Sequence, residues 1–187
     1  MKMKLFVMAV ALLSGAILKG QTNDNCVVNT LLNSFSERSY TTEPVTDQQL
    51  EMILDCGIKA PSGMNKQPWK FTVVRDEASM KEAISDAIAG NVLIIVSGAE
   101  AANGSTPDFD CGLATQNMFA AAHGLGLGAR IYASPAGRIN EKKDLFQIPS
   151  GYKAIVVLRV GNPDKTVDAV SAATPRKKVE EIVNYWK

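Results

Sequence analysis

The sequence predicts a mixed domain in which a sheet is covered by helices, and three observations carry that expectation. Two continuous apolar runs, Val92 to Val96 and Ala154 to Val160, have the length of strands and the composition of strands buried on both faces. Around them lie segments with apolar residues at helical spacing, and the order of elements reads ααβαβαβαβα. The chain of 187 residues, with 46% apolar and 21% charged residues, fits one core rather than two.

Taken in order, Val27, Val28, Leu31, Leu32 and Phe35 predict a helix over 24–35 with one buried face, behind the caps Asn23 to Asn25. Thr46 and Gln49 form a capping-box pattern before Leu50, Ile53, Leu54 and Ile58, and Pro61 stops this second helix. Trp69 to Arg75 alternates and is rich in β-formers. Asp76 caps a helix carrying Met80, Ala83, Ile84, Ala87 and Ile88, ended by Gly90 and Asn91. Residues 98–107 read as a loop, and Asp108 or Asp110 opens a long, small-residue helix to about His123. Ala129 to Ala133 predicts a short strand, and Ile139 to Phe146 a short helix. Val179, Ile182, Val183 and Trp186 predict a terminal helix.

Lys2 and Lys4 precede the apolar stretch Leu5 to Leu18, the pattern of a secretory signal over residues 1–20, too short for a stable membrane anchor. The expected destination is outside the cytoplasm, the periplasm in a cell that has one. The net charge of +1 offers no attraction for nucleic acid or for an acidic lipid surface. The three cysteines, Cys26, Cys56 and Cys111, have no C-x-x-C spacing and read as small buried thiols; export would permit a Cys56 to Cys111 disulfide.

One histidine, His123, and no clustered cysteines or carboxylates leave no basis for a zinc site. Neither G-x-S-x-G nor a P-loop occurs. Gly124, Gly126 and Gly128 follow a helix and precede a strand, the reverse of a dinucleotide fingerprint, and read as a helix stop and turn. His123, in the last helical turn, reads as structural. What remains is Ala60-Pro61-Ser62-Gly63-Met64-Asn65-Lys66-Gln67-Pro68-Trp69. Its amides at Asn65 and Gln67 can donate and accept together, as the edge of a pyrimidine-like ring requires.

That segment resembles the A-P-S-x-x-N-x-Q-P-W signature of the nitroreductase family, matched at Ala60, Pro61, Ser62, Asn65, Gln67, Pro68 and Trp69. Ser36-Glu37-Arg38-Ser39-Tyr40 with Glu43-Pro44-Val45, Gln116-Asn117, Gly124-Leu125-Gly126, Ile148-Pro149, Gly161-Asn162-Pro163 and Pro175-Arg176-Lys177-Lys178 are similar to its other blocks. The resemblance spans residues 24–187. It implies an α+β homodimer with a central, mostly antiparallel sheet and FMN at the interface. The implied activity is ping-pong transfer of reducing equivalents from NAD(P)H, through flavin N5, to a nitroaromatic, quinone or similar acceptor.

By the same resemblance Ser36 and Arg38, with Arg176 or Lys178, hold the phosphate and ribityl chain, where a guanidinium suits phosphate oxygens. Ser62 and Asn65 come from the partner subunit, Gln67 bonds the flavin, and Pro135, Ala136 and Gly137 present backbone near N5. Ser34 stands where the family commonly places its first phosphate-binding arginine. The alternatives are a flavin-dependent dehydrogenase or dehalogenase on the same fold, and an exported protein that binds flavin without catalysis. The N-terminal pattern generates its own expectation: in the native host, mass spectrometry finds a mature N-terminus between about residues 17 and 25. Soluble cytoplasmic protein that keeps Met1 would refute it.

Overall fold

The computed structural model describes residues 25–100, 106–168, 170 and 174–186. The expected signal segment and the middle of the 98–107 loop lie outside the described residues.

Four strands, β1 (Trp69–Val74), β2 (Val92–Ala99), β3 (Gly128–Tyr132) and β4 (Tyr152–Gly161), form one sheet in the order β1-β2-β4-β3, with every neighbouring pair antiparallel. The central pair explains why two runs of the sequence are apolar without alternation. Val92, Ile94 and Val96 enter the core on one face of β2, and Leu93 and Ile95 enter the core on the other. On β4 the same alternation changes phase at Ile155, where the register against β2 shifts by a bulge, so that Val156 faces the first core and Ala154 the second.

Helices α2 (Asp47–Ile58) and α4 (Pro107–Gly124) cover the first face, and α3 (Glu77–Ala83) and α5 (Ala136–Glu141) the second. The Thr46 capping box is formed: Thr46 Oγ1 accepts from Gln49 N at 3.2 Å, and Gln49 Oε1 accepts from Thr46 N at 3.0 Å. Asp76 caps α3 through Ser79 N at 2.8 Å. Close approach of α2 and α4 depends on small residues: a Cβ on Gly57 would lie 2.7 Å from Met118 Cγ.

Several expectations are corrected. α1 (Cys26–Asn33) stops at Ser34 and has no buried residue; Val27 and Leu32 are 62% and 76% exposed. α3 ends at Ala83, because Ile84 turns extended, and Ala87 reaches the core through a turn. β2 continues through Gly98 into the expected loop, paired with Trp69 on β1 and Lys153 on β4. α5 begins upstream of the expected 139–146, at Ala136, and stops at Glu141, and Phe146 is buried from a turn. The terminal helix is one turn, α6 (Val179–Ile182), with Trp186 97% exposed. All three cysteines are free, and only Cys111 is buried, its thiol pushed up to about 12 chiefly by burial and then by Asp108 and Asp110.

One buried cation ties the sheet to the chain around it. Arg159 of β4, 2% exposed, donates from Nε to Asn91 Oδ1 at 2.8 Å and from its two terminal nitrogens to the Asp86 carboxylate and carbonyl, each at 2.9 Å. Its guanidinium also lies 4.3 Å from the Tyr40 ring centre. Burial holds the Tyr40 hydroxyl above its usual range, so it stays neutral. Nearby, Gly90 has φ of 85° and packs against the Thr42 and Glu43 carbonyls, leaving no space for a Cβ. Replacing it, as Gly90→Ala, is expected to cost about 2–4 kcal/mol, read as a lower urea midpoint at unchanged slope. An unchanged midpoint would contradict the close approach.

Candidate functional site

Two stretches of main chain are held in unusual ways, and both carry residues singled out by the sequence. The first runs from Phe35 to Tyr40. Glu37 N donates to Ala129 O of β3 at 3.0 Å, and the buried Glu37 carboxylate accepts from Arg38 N at 2.8 Å and Ser39 N at 3.1 Å. Gly128 is required beneath it, since a Cβ there would come within 2.5 Å of Glu37 Cγ. With Glu37 turned inward, Ser36 and Arg38 are exposed, and Arg38 makes no ion pair among the described residues. Ser34 Oγ closes α1 by donating to Leu31 O at 3.1 Å. The position is a helix stop and supplies no cation.

The second stretch is the loop from α2 to β1. Met64, Asn65 and Gln67 have φ of 51°, 54° and 49°, three non-glycine residues in the left-handed region within four positions. Such conformations persist only where the surroundings impose them, and they gather at functional sites. Here the surroundings are Ser62 Oγ, which accepts from Gln67 N at 2.9 Å, and Asp110 Oδ1 of α4, which accepts from Gly63 N at 3.1 Å. The Gln67 amide donates to Asn65 O at 3.2 Å. Asn65 and Gln67 are exposed, and the Asn65 side chain has no hydrogen bond among the described residues.

Beyond β3, the turn at Ser134 to Gly137 is fixed by Ala136 N to Ala133 O at 3.1 Å and Ile139 N to Pro135 O at 3.0 Å. Pro135 is buried, Ala136 half-buried and Gly137 exposed, and a Cβ on Gly137 would meet nothing within 4 Å. Arg176 and Lys178 are exposed in the C-terminal segment, and no hydrogen bond or ion pair joins them to Ser36 or Arg38.

The sheet register separates the two stretches. Glu37 lies beside Ala129, which faces Val160 on β4, whereas Trp69, just after the loop, faces Gly98, which faces Lys153. Along β4 those positions differ by seven residues, roughly 23 Å, and β3 and β1 are the outer strands, roughly 14 Å apart. The Ser36–Arg38 stretch and the Ser62–Gln67 loop thus occupy opposite corners of one sheet. The Pro135 turn, following β3, lies at the loop's end of the sheet but on the other edge.

Residues 33–103 match the model of the nitroreductase family. A relative from Archaeoglobus fulgidus, provisionally named NADH dehydrogenase/NAD(P)H nitroreductase, is 30% identical over 149 residues, covering 73% of this chain and 85% of the relative. The chain belongs to the nitroreductase family. A Bacillus subtilis protein named FMN reductase, NAD(P)H, is 29% identical over 188 residues, covering 86% of this chain and 73% of its own length. The solved structure of a provisionally named Desulfovibrio desulfuricans nitroreductase in complex with FMN is similar at 27% identity and a TM-score of 0.75, covering 88% of this chain and 99% of that one.

Sequence reasoning missed the role of the two acids that shape the main chain: Asp110 was expected as a possible helix opener, whereas α4 begins at Pro107 behind Thr106. Asp110 had a readable signal, since it falls on the stripe Asp110, Ala114, Met118 and Ala122 that is buried along α4. Glu37 had none, because its burial depends on Gly128, far away in sequence. Removing the carboxylate, as in Asp110→Ala, leaves the Gly63 amide without its partner. The expected cost is about 1–3 kcal/mol in thermal or urea unfolding. A variant as stable as the parent would show that Asp110 does not anchor the loop.

Proposed function

We propose that the chain is an FMN-dependent NAD(P)H oxidoreductase whose active unit is a homodimer, each flavin site drawing residues from both subunits. The observation that carries this reading is the placement of two ligand-ready stretches at opposite corners of one sheet. A single chain sets an unpaired guanidinium at one corner and exposed side-chain amides at the other. A two-fold partner brings the second kind of corner to the first.

The residues suit FMN. Ser36 and Arg38 stand on main chain that Glu37 holds rigid, with the Arg38 guanidinium free for phosphate oxygens. In the partner subunit, Ser62 sets the loop, and the Asn65 and Gln67 amides offer donors and acceptors to the edge of a heteroaromatic ring. The turn at Pro135, Ala136 and Gly137, exposed at Gly137, would present its main chain to the ring near N5. Arg176 and Lys178 are cations of a short exposed tail, able to close over the phosphate in place of the one absent at Ser34.

When bound, FMN supplies hydride acceptance from NAD(P)H and, after the donor has left, electron delivery to a nitroaromatic, quinone or similar acceptor. The chain's part is to bind and orient, which explains a site built from main chain, amides and one guanidinium without a catalytic histidine or cysteine. A surface for the dimer is present. α1 buries none of its residues, and between α1, α2 and α4 runs an apolar groove of about 540 Å³ lined by Val27, Leu31, Ala120 and Ala121. Burying such surface twice about one axis is the ordinary route to a stable homodimer.

Purified protein is expected to carry or take up FMN, visible in its absorption spectrum, and to oxidise NAD(P)H with a quinone or nitroaromatic acceptor. Arg38→Ala is expected to weaken FMN binding by about tenfold or more, the worth of a charge-assisted hydrogen bond, measured by fluorescence titration. Unchanged affinity in that variant would remove Arg38 from the site.

A further inference from the structure

An acid, Glu37, stands between Ser36 and Arg38, the two side chains assigned above to the flavin phosphate. A carboxylate is unexpected there, because its charge repels a phosphate. The structure shows where that charge is directed. Glu37 is 3% exposed, and its Oε1 accepts from the main-chain N–H of Arg38 at 2.8 Å and of Ser39 at 3.1 Å. The first of these is the one hydrogen bond that Arg38 makes among the described residues.

A recess at the end of the sheet receives the acid. Gly128 of β3 and Gly161 of β4 face each other in the register, and neither has a side chain to fill the space between sheet and segment. A Cβ on Gly128 would come within 2.5 Å of Glu37 Cγ and 3.3 Å of its Oε2, and one on Gly161 would lie 2.8 Å from Tyr40 Cδ1. The main chain is tied on both sides of Arg38: Glu37 N donates to Ala129 O of β3 at 3.0 Å, and Ser39 O accepts from Asp164 N, after β4, at 3.1 Å. Between those ties, the Glu37 carboxylate alone fixes the Arg38 amide.

We propose that Glu37, seated in this recess, is the positioning residue of Arg38 and sets the preference for FMN over riboflavin, the same flavin without its phosphate. The proposal rests on the FMN reading given above and names within it the residue that directs the phosphate-binding guanidinium. The two effects open to the carboxylate have opposite signs. As a positioning group it strengthens phosphate binding, so its removal weakens FMN. As a bare charge, or as a competitor for the Arg38 and Ser39 amides, it opposes phosphate, so its removal strengthens FMN.

FMN and riboflavin affinities are to be measured by fluorescence titration for the full chain, Glu37→Ala, Glu37→Gln and Gly128→Ala. Amide hydrogen exchange at Arg38 and Ser39 is followed alongside, with no flavin present. Glu37→Ala is expected to bind FMN about three- to tenfold more weakly, at most the loss expected of Arg38→Ala, while riboflavin affinity changes by less than about twofold. Glu37→Gln keeps an acceptor of similar size, and its FMN-to-riboflavin ratio is expected between those of Glu37→Ala and the parent. Gly128→Ala fills the recess, displaces Glu37 and is expected to lower the same ratio. In both Glu37 variants the Arg38 and Ser39 amides are expected to exchange faster than in the parent.

A ratio in Glu37→Ala equal to the parent's would overturn the proposal, including the case in which both flavins weaken in parallel, the mark of a merely structural role. A raised ratio would overturn it by showing that the carboxylate opposes phosphate. If Glu37→Ala does not fold, Glu37→Gln carries the decision, and a ratio at or above the parent's overturns the proposal. If the parent binds neither flavin, the functional reading fails and takes the phosphate preference with it. Faster amide exchange in the Glu37 variants would then still support the positioning of Arg38, and unchanged exchange would overturn that as well.

Discussion

Everything in this molecule depends on burying both faces of β2 and β4. Seven consecutive residues of β2, Val92 to Gly98, are buried, and the side chains of Val92 to Val96 divide between two cores. A strand pair of that kind must have helices above and below it, so α2 and α4 are fixed on one side and α3 and α5 on the other. Once the layers are set, the chain ends of the outer strands have fixed places. The start of β3 holds the Phe35–Tyr40 stretch through Ala129, and the start of β1 receives the loop from α2.

The two candidate stretches are shaped by buried acids rather than by apolar packing. Glu37 and Asp110 are 3% and 1% exposed, and each directs its carboxylate at main-chain N–H groups that no helix or strand satisfies. A carboxylate accepting from amides holds irregular backbone more firmly than water would, because bonds to a charged acceptor are stronger. Unusual backbone then offers what the reading of the site requires: exposed amides at Asn65 and Gln67, and an Arg38 guanidinium with no ion pair among the described residues. Flavin chemistry needs a rigid and correctly charged cradle more than a proton-transfer apparatus.

Much of this was legible in the sequence, for local reasons. The Thr46 capping box, the Asp76 cap and the two apolar strand runs depend on residues close along the chain, and all appear where their patterns place them. Ser62, Asn65 and Gln67 were legible as a motif, although the three left-handed residues were not, since nothing in Met64 announces a positive φ. What failed was non-local. The apolar stripe of α1 predicts a buried face, yet within one chain it meets solvent. A stripe of that kind records that burial is required without recording whether the cover belongs to the same chain. Likewise Ala87 and Phe146 are buried as helical spacing would have them, but turns deliver them to the core instead.

The exposed stripe and the separated corners lead to the same central claim, that one subunit's Arg38 serves the site completed by the other subunit's Asn65. Co-expression of Arg38→Ala and Asn65→Ala chains addresses it most directly, because each mixed dimer rebuilds one intact site from two defective chains. The account predicts that neither variant alone binds FMN at parental strength, and that the mixture regains about a quarter of the parental sites, as random pairing into two-fold dimers requires. No recovery in the mixture, together with sedimentation showing a monomer that carries FMN, would contradict it.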